Sequence, residues 1–237
     1  MVSLYKGDGT SIQISENGDL PNPYVGKKIL WLGDSISDTA YTNYPVKVCN
    51  ALRATGVFKA SSGGDSLRMR NILQGLDGYT APDLTDVSYC LIMIGHNCSS
   101  SLVQNGDTIG DIPAHDSGTP YTDYESGNYF CDVASCIEYI WDKNPDIKIF
   151  FVTPPHSSNA TYSKVVPIAR QAMFDIGALY SVPVIDNYAE CGINAWNVDA
   201  YTSDGHTHPN DAGQTLEANC VVNHLLMHGL HACKPVE

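Results

Sequence analysis

The chain has 237 residues, 43% hydrophobic and 16% charged, a length and mix that suit one large α/β domain with a full core. Thirteen Lys and Arg stand against 26 Asp and Glu, a net charge of −13, which argues against nucleic acid or an anionic membrane surface as partner, since both need clustered positive charge. No run reaches the ~18 apolar residues of a membrane helix, so no membrane insertion is expected; an uncharged substrate suits the balance better.

In chain order, Ser3–Lys6 and Thr10–Ile14 flank Gly7-Asp8-Gly9, a hairpin signal. Residues 1–26 therefore read as an N-terminal arm, closed by Pro21-Asn22-Pro23, ahead of a domain spanning 27–237. The first fifteen residues lack the basic-then-apolar layout of a secretion signal, which leaves the compartment open, with extracellular or cell-surface use among the options. Lys28–Leu32 predicts the first core strand, Pro45–Thr55 a helix and Val57–Ala60 a short strand. Val87–Ile94 is nearly continuous in apolar residues, as a strand buried on both faces should be. Residues 98–128, rich in Gly, Asp, Ser and Thr, read as a long loop of the kind that often carries function. Tyr129–Lys143, Val165–Tyr180 and Asp211–His228 then predict helices, and Ile147–Val152 and Val182–Ile185 strands. Strands alternating with helices imply a parallel sheet with right-handed crossovers.

The eight cysteines include no CxxC pair, which leaves a zinc ribbon or a thioredoxin-like site without support. Cys90 falls inside an apolar strand and reads as a small buried hydrophobe. There is no GxGxxG before a helix and no GxxxxGK[ST], so no nucleotide cofactor is expected, nor any other. His224, His228 and His231 follow helical spacing, which suits a partly exposed face near a helix C-terminus far better than a metal stripe.

Polar chemistry collects where strands end. Lys28–Leu32 runs into Gly33-Asp34-Ser35, and Val87–Ile94 into Gly95-His96-Asn97; in open α/β sheets ligands bind at that edge. Near the other end, Asp204-Gly205-His206-Thr207-His208-Pro209 places an acid and two histidines in a polar loop. A serine hydroxyl is a poor nucleophile until a histidine takes its proton and a carboxylate fixes that histidine's tautomer. Ser35, His208 and Asp204 supply the three types. Asp204, His206 and His208 would also suit a metal cluster, but a further ligand is not evident, so no metal is expected.

Four blocks in order resemble those of the SGNH, or GDSL, hydrolase family: Gly33-Asp34-Ser35, Gly63-Gly64-Asp65-Ser66, Gly95-His96-Asn97, and Asp204 with His208-Pro209. Their order and spacing cover residues 28–228. The resemblance implies a flavodoxin-like three-layer α/β/α sandwich around a central parallel sheet of about five strands. It implies ester hydrolysis too, with Ser35 as nucleophile, Asp204 and His208 completing the triad, and the Ser35 and Gly64 N–H groups and the Asn97 amide as the oxyanion hole. Two departures stand out. The family usually has Asp-x-x-His, whereas one extra residue separates Asp204 from His208, and Cys98 stands where the family often has Asp. Pro209-Asn210 favours His208 over His206 as the base, with Asp211 then placed to cap the last helix.

Asp34, His96, His156 and His206 lie close enough in the pattern to contact a substrate. The expected substrate is a small-molecule or glycan ester, first of all an acetylated carbohydrate, with Tyr121, Tyr124, Tyr129 and Phe130 placed to stack on sugar faces. That step is a family-level analogy. Two other readings fit the same blocks: a lipid or thioester hydrolase, which would need an apolar acyl groove, and a non-catalytic carbohydrate-binding or structural module of a larger assembly.

Overall fold

A computed structural model describes residues 22–232 together with two short strands ahead of them, β1 (Val2–Tyr5) and β2 (Ser11–Ile14). β1 and β2 pair antiparallel, Val2 opposite Ile14; the predicted Gly7-Asp8-Gly9 turn lies outside the described residues. Five further strands, β3 (Lys28–Gly33), β4 (Thr55–Phe58), β5 (Val87–Met93), β6 (Lys148–Val152) and β7 (Val184–Ile185), form one parallel sheet in the order β4-β3-β5-β6-β7. This is the doubly wound, flavodoxin-like order, with helices on both faces.

The period-2 alternation of the strands sorts side chains between two cores. Ile29, Trp31, Leu91, Met93 and Phe150 face one layer, formed by α1 (Tyr44–Leu52) and α6 (Asp211–Ala232), which contribute Tyr44, Val48, Val221 and Leu225. Leu30, Leu32, Cys90, Ile92 and Phe151 face the other, formed by α2 (Ser66–Gln74), α3 (Tyr129–Lys143) and α4 (Tyr162–Tyr180). Each fully buried Leu, Ile or Phe in these layers stabilises the fold by about 1.5–3 kcal/mol relative to exposure. A one-turn helix, α5 (Asn187–Glu190), follows β7.

Helix α3 matches its predicted span. Helix α2 was not predicted: Arg68 and Arg70 interrupt its apolar stripe of Met69, Ile72 and Leu73. Its ends are nonetheless written in the sequence. The Asp65 carboxylate accepts the Arg68 N–H at 2.9 Å, and Gly75 closes the helix with φ +69°. Arg70 is buried because it has partners: Asp132 at 3.4 Å and the carbonyls of Tyr121, Thr122 and Tyr124. Burial pushes the Asp132 carboxyl up to about 6, against the pull of Ser66, the Gly127 N–H and Arg70.

Residues 98–128 are not the open loop expected. Four short helical turns interrupt them, and Leu102, Ile112 and Tyr124 reach into the core. All seven described cysteines, Cys90 included, are buried free thiols; Cys233 lies outside the described residues. No helix among the described residues is long and apolar enough to cross a membrane.

Candidate active site

The strand order places a crevice at the C-terminal ends of β3 and β5, where successive crossovers leave to opposite sides. β3 ends at Gly33, whose φ of +153° and close approach to β5 exclude a side chain: a Cβ there would lie 2.1 Å from the Met93 carbonyl oxygen. The chain turns sharply after it and sets Ser35 at the rim, 7% exposed. Asp34 is fully buried beneath. Its carboxylate accepts the Ile36 N–H at 3.0 Å and the His96 N–H at 3.3 Å, fastening the serine turn to the end of β5.

His208 arrives from the other end of the chain. Its Nε2 lies 2.9 Å from Ser35 Oγ and its Nδ1 2.6 Å from Asp204 Oδ2. The extra residue between acid and histidine is absorbed by the acid itself. Asp204 Oδ1 accepts the N–H groups of His206, Thr207 and His208 at 3.0, 2.7 and 3.1 Å, so the loop coils around one oxygen while the other oxygen meets the imidazole. Gly205 supplies the left-handed residue at the tip, φ +77°. A bridge between Thr202 and Pro209, with Ser203 N–H donating to the His208 carbonyl at 2.7 Å, closes the base. Burial opposes ionisation of Asp204, but the Thr207 N–H, the His208 ring and the N–H groups of His206 and His208 outweigh it and hold the carboxyl far below the usual range. Asp204 therefore remains an anion at neutral pH.

Residues that the sequence reading passed over complete the support. Ser157 Oγ donates to the His206 carbonyl at 2.7 Å and lies 2.8 Å from Thr207 Oγ1; Ser158 N–H donates to the same carbonyl at 3.0 Å. Gln214 donates to the Pro209 carbonyl at 2.8 Å and accepts the Asn43 N–H at 2.9 Å. Their only sequence signal was position: Ser157 follows the Thr-Pro-Pro-His end of β6. The cap of α6 is Asn210, whose side chain accepts the Gly213 N–H at 3.1 Å, rather than Asp211, which pairs with Lys47 at 2.8 Å.

The three expected oxyanion donors differ in what already engages them. Among the described residues no acceptor meets the Ser35 N–H. Asn97 Nδ2 donates one hydrogen to the Gly64 carbonyl at 3.1 Å, and Tyr162 OH donates to Asn97 Oδ1 at 3.4 Å. The Gly64 N–H, expected as a free donor, is engaged by the Ser61 carbonyl at 2.9 Å in a tight turn that Asp38 anchors through the Ser62 N–H at 3.0 Å. It is therefore not a free donor in this conformation.

The four expected substrate contacts divide. Asp34 and His96 are 0% and 1% exposed, beneath the turn rather than in the crevice, so neither faces a substrate. His96 Nδ1 stands 3.5 Å from Asp34 Oδ2, too far for a good hydrogen bond, and its ring packs edge-on against Tyr162. His156 is half-buried and stacks on Tyr188 with centroids 3.6 Å apart; burial and the nearby Arg170 push its pKa down. His206 is partly exposed, its Nδ1 2.9 Å from Thr207 Oγ1 and 3.5 Å from Asp204. The aromatic platform also differs from expectation. Tyr124, Tyr129 and Phe130 are buried in the core, and Tyr121 bonds Asp142 and packs on Tyr139, so none is free to stack on a sugar.

Asp204, His206 and His208 do not gather as metal ligands, and among the described residues no three His, Cys, Asp or Glu side chains do. His224 pairs with Glu190 at 2.7 Å and His228 packs edge-on against Phe150, so these two histidines of the stripe have separate partners; the His231 side chain lies outside the described residues.

Solved structures share this architecture. A lipase/acylhydrolase from Enterococcus faecalis superposes with a TM-score of 0.56 at 15% identity, covering 85% of this chain and 96% of that one. A catalytic mutant of Axe2, an acetylxylan esterase from Geobacillus stearothermophilus, gives 0.57 at 17% identity, covering 86% and 96%. No curated protein matches the sequence. The GDSL-like lipase/acylhydrolase family model matches residues 31–216, from the first core strand through the acid–histidine loop into the last helix, and the chain belongs to that family of hydrolases.

Proposed function

We propose that the protein is a serine esterase that hydrolyses short-chain esters through an acyl-enzyme, with O-acetylated carbohydrate as its substrate. The observation that carries this reading is the continuous chain from Ser35 Oγ through the His208 ring to Asp204, at 2.9 and 2.6 Å. His208 Nε2 takes the Ser35 proton as Oγ attacks the ester carbonyl, and Asp204 holds the Nδ1 proton in place and stabilises the imidazolium. Negative charge gathers on the carbonyl oxygen, which the Ser35 N–H and the remaining Asn97 amide hydrogen address. The ester C–O bond then breaks, and the leaving alcohol takes the proton from His208. Water repeats the sequence and releases the acid and Ser35.

Small acyl groups are favoured by what surrounds the site. The acid–histidine loop is polar, and an apolar-lined cleft of about 520 Å³, bounded by Trp141, Ile147, Phe150 and Val182, opens at the N-terminal ends of β6 and β7, away from Ser35. It offers no acyl groove to the serine. The structural neighbour named as an acetylxylan esterase accords with acetate as the acyl group. The test is a chain-length series on one activated alcohol. kcat/KM is expected to fall from acetate to butyrate to octanoate; a rise of about fourfold per methylene, the worth of ~0.8 kcal/mol of burial, would favour a lipid or thioester hydrolase instead.

A further inference from the structure

Tyr41 is a large aromatic side chain left 60% exposed, and it stands beside the proposed triad. Its ring centroid is 6.2 Å from that of His208, the planes 31° apart. The segment that carries it is held firmly. The Asp38 carbonyl accepts the N–H groups of Tyr41 and Thr42 at 2.9 and 3.0 Å, and the Asp38 carboxylate takes Ala40 N–H on one oxygen and Ser62 N–H on the other. Thr42, 2% exposed, donates its hydroxyl to the Ile36 carbonyl and anchors the segment to the serine turn. Tyr41 is thus a ring on a fixed mount, exposed at the mouth of the site, whereas the aromatics of residues 121–130 are packed away.

The chemistry says which half of an ester would meet it. In acylation the Ser35 Oγ–carbon bond forms and the ester C–O bond breaks. The proton from Ser35 passes through His208 Nε2 to the departing alcohol oxygen. That alcohol must lie against His208, while the carbonyl oxygen turns away toward the Ser35 N–H and Asn97. The group beside His208 therefore reads the alcohol, not the acyl chain. A pyranose presents a face of C–H bonds, which carry the slight positive charge that the face of an aromatic ring attracts. We propose that Tyr41 is the stacking platform for the alcohol half of the substrate and selects a pyranose ring bearing the acetyl group. The inference rests on the carbohydrate esterase reading given above.

The test compares two acetates, a mono-acetylated methyl pyranoside and trifluoroethyl acetate, whose alcohol is too small to stack. The quantity read is the ratio of their kcat/KM values in the wild type, Tyr41→Ala and Tyr41→Phe. The ratio is expected to fall about tenfold in Tyr41→Ala, the effect of ~1.4 kcal/mol, chiefly through KM for the sugar ester. In Tyr41→Phe, which keeps the ring, it should stay within about twofold of the wild type. An unchanged ratio in Tyr41→Ala overturns the platform, whether both esters suffer equally, as they would if Tyr41 merely propped His208, or neither does. If that happens while the wild type hydrolyses both esters, the carbohydrate reading stands without Tyr41. A wild type that cleaves trifluoroethyl acetate and no acetylated pyranoside overturns both.

Discussion

The serine turn and the acid–histidine loop meet at one hydrogen bond but are built in opposite ways. Around Ser35, Asp34, Ile36 and Ser37 are all fully buried, and Asp34 ties the turn to the end of the neighbouring strand. Around His208, Ser203, Asp204 and Gly205 are exposed, and the loop keeps its shape through three N–H groups gathered on one carboxylate oxygen. The first is fixed by tertiary packing and the second by local hydrogen bonds. Damage to the serine turn should therefore cost stability and activity together, and damage to the loop chiefly activity.

The largest loss without unfolding is expected at His208. His208→Ala should lower kcat by about a thousandfold or more, as removal of a triad base does, with an unchanged melting temperature. His206→Ala on equally folded material should cost far less and act mainly on KM, since its ring points to Thr207 and not to Ser35. Equal damage from both would show that the wrong histidine has been assigned. Asp204→Asn should fall between these two in kcat. The amide oxygen can still hold the three N–H groups, so the loop persists, but the imidazole loses the acceptor that fixes its tautomer. A melting temperature that drops sharply in this variant would mean the loop depends on charge, not on hydrogen-bond count.

Asp34→Ala tests the other half of the comparison. It leaves two buried N–H groups without acceptors, at about 1–3 kcal/mol each, so the melting temperature should fall by several degrees along with activity. Lost activity with an unmoved melting temperature would place Asp34 in the chemistry instead of under it. Ser157→Ala, which removes one buttress of the loop, should cost only about 1 kcal/mol and a modest fraction of kcat.

A last effect is one of pH. Glu217 on α6 is fully buried without a hydrogen-bond partner among the described residues, and burial together with the charge of Asp34 pushes its carboxyl up to about 8 from the 4.5 of a free glutamate. With the folded value above the unfolded one, the stability tied to this group is complete below about pH 4.5 and is lost as pH rises toward 8. Asp132, at about 6, slopes the same way. Glu217→Gln should flatten the decline of melting temperature between pH 5 and 8; an unchanged slope would mean the carboxyl is already ionised in the folded state.

What the sequence discloses follows the same division. Strands β3, β5 and β6 were legible because burial on both faces leaves an unbroken apolar run, and the meeting of Ser35, His208 and Asp204 because two blocks of distinctive residues sit at a strand end and just before the last helix. Helix α2 was hidden by Arg70, which is buried only because Asp132 and three carbonyls, 51 to 62 residues away, receive it. The aromatics of 121–130 misled for a related reason: a polar stretch carries its few large side chains into the core, and exposure cannot be read from composition. Asp34 and His96 looked like rim residues because their neighbours are. Their burial is set by the pleat and by the turn after Gly33, which places alternate positions above and below. Nor does spacing reveal that the Gly64 N–H closes its own turn on Ser61.

The central claim is that Ser35, activated by His208, is the nucleophile. Incubation with a serine-reactive phosphonate followed by peptide mass mapping tests it most directly. One adduct on Ser35 is expected, formed in step with loss of activity, absent from Ser35→Ala and slowed in His208→Ala. An adduct on another residue, or inactivation of the wild type with Ser35 unmodified, would contradict the account.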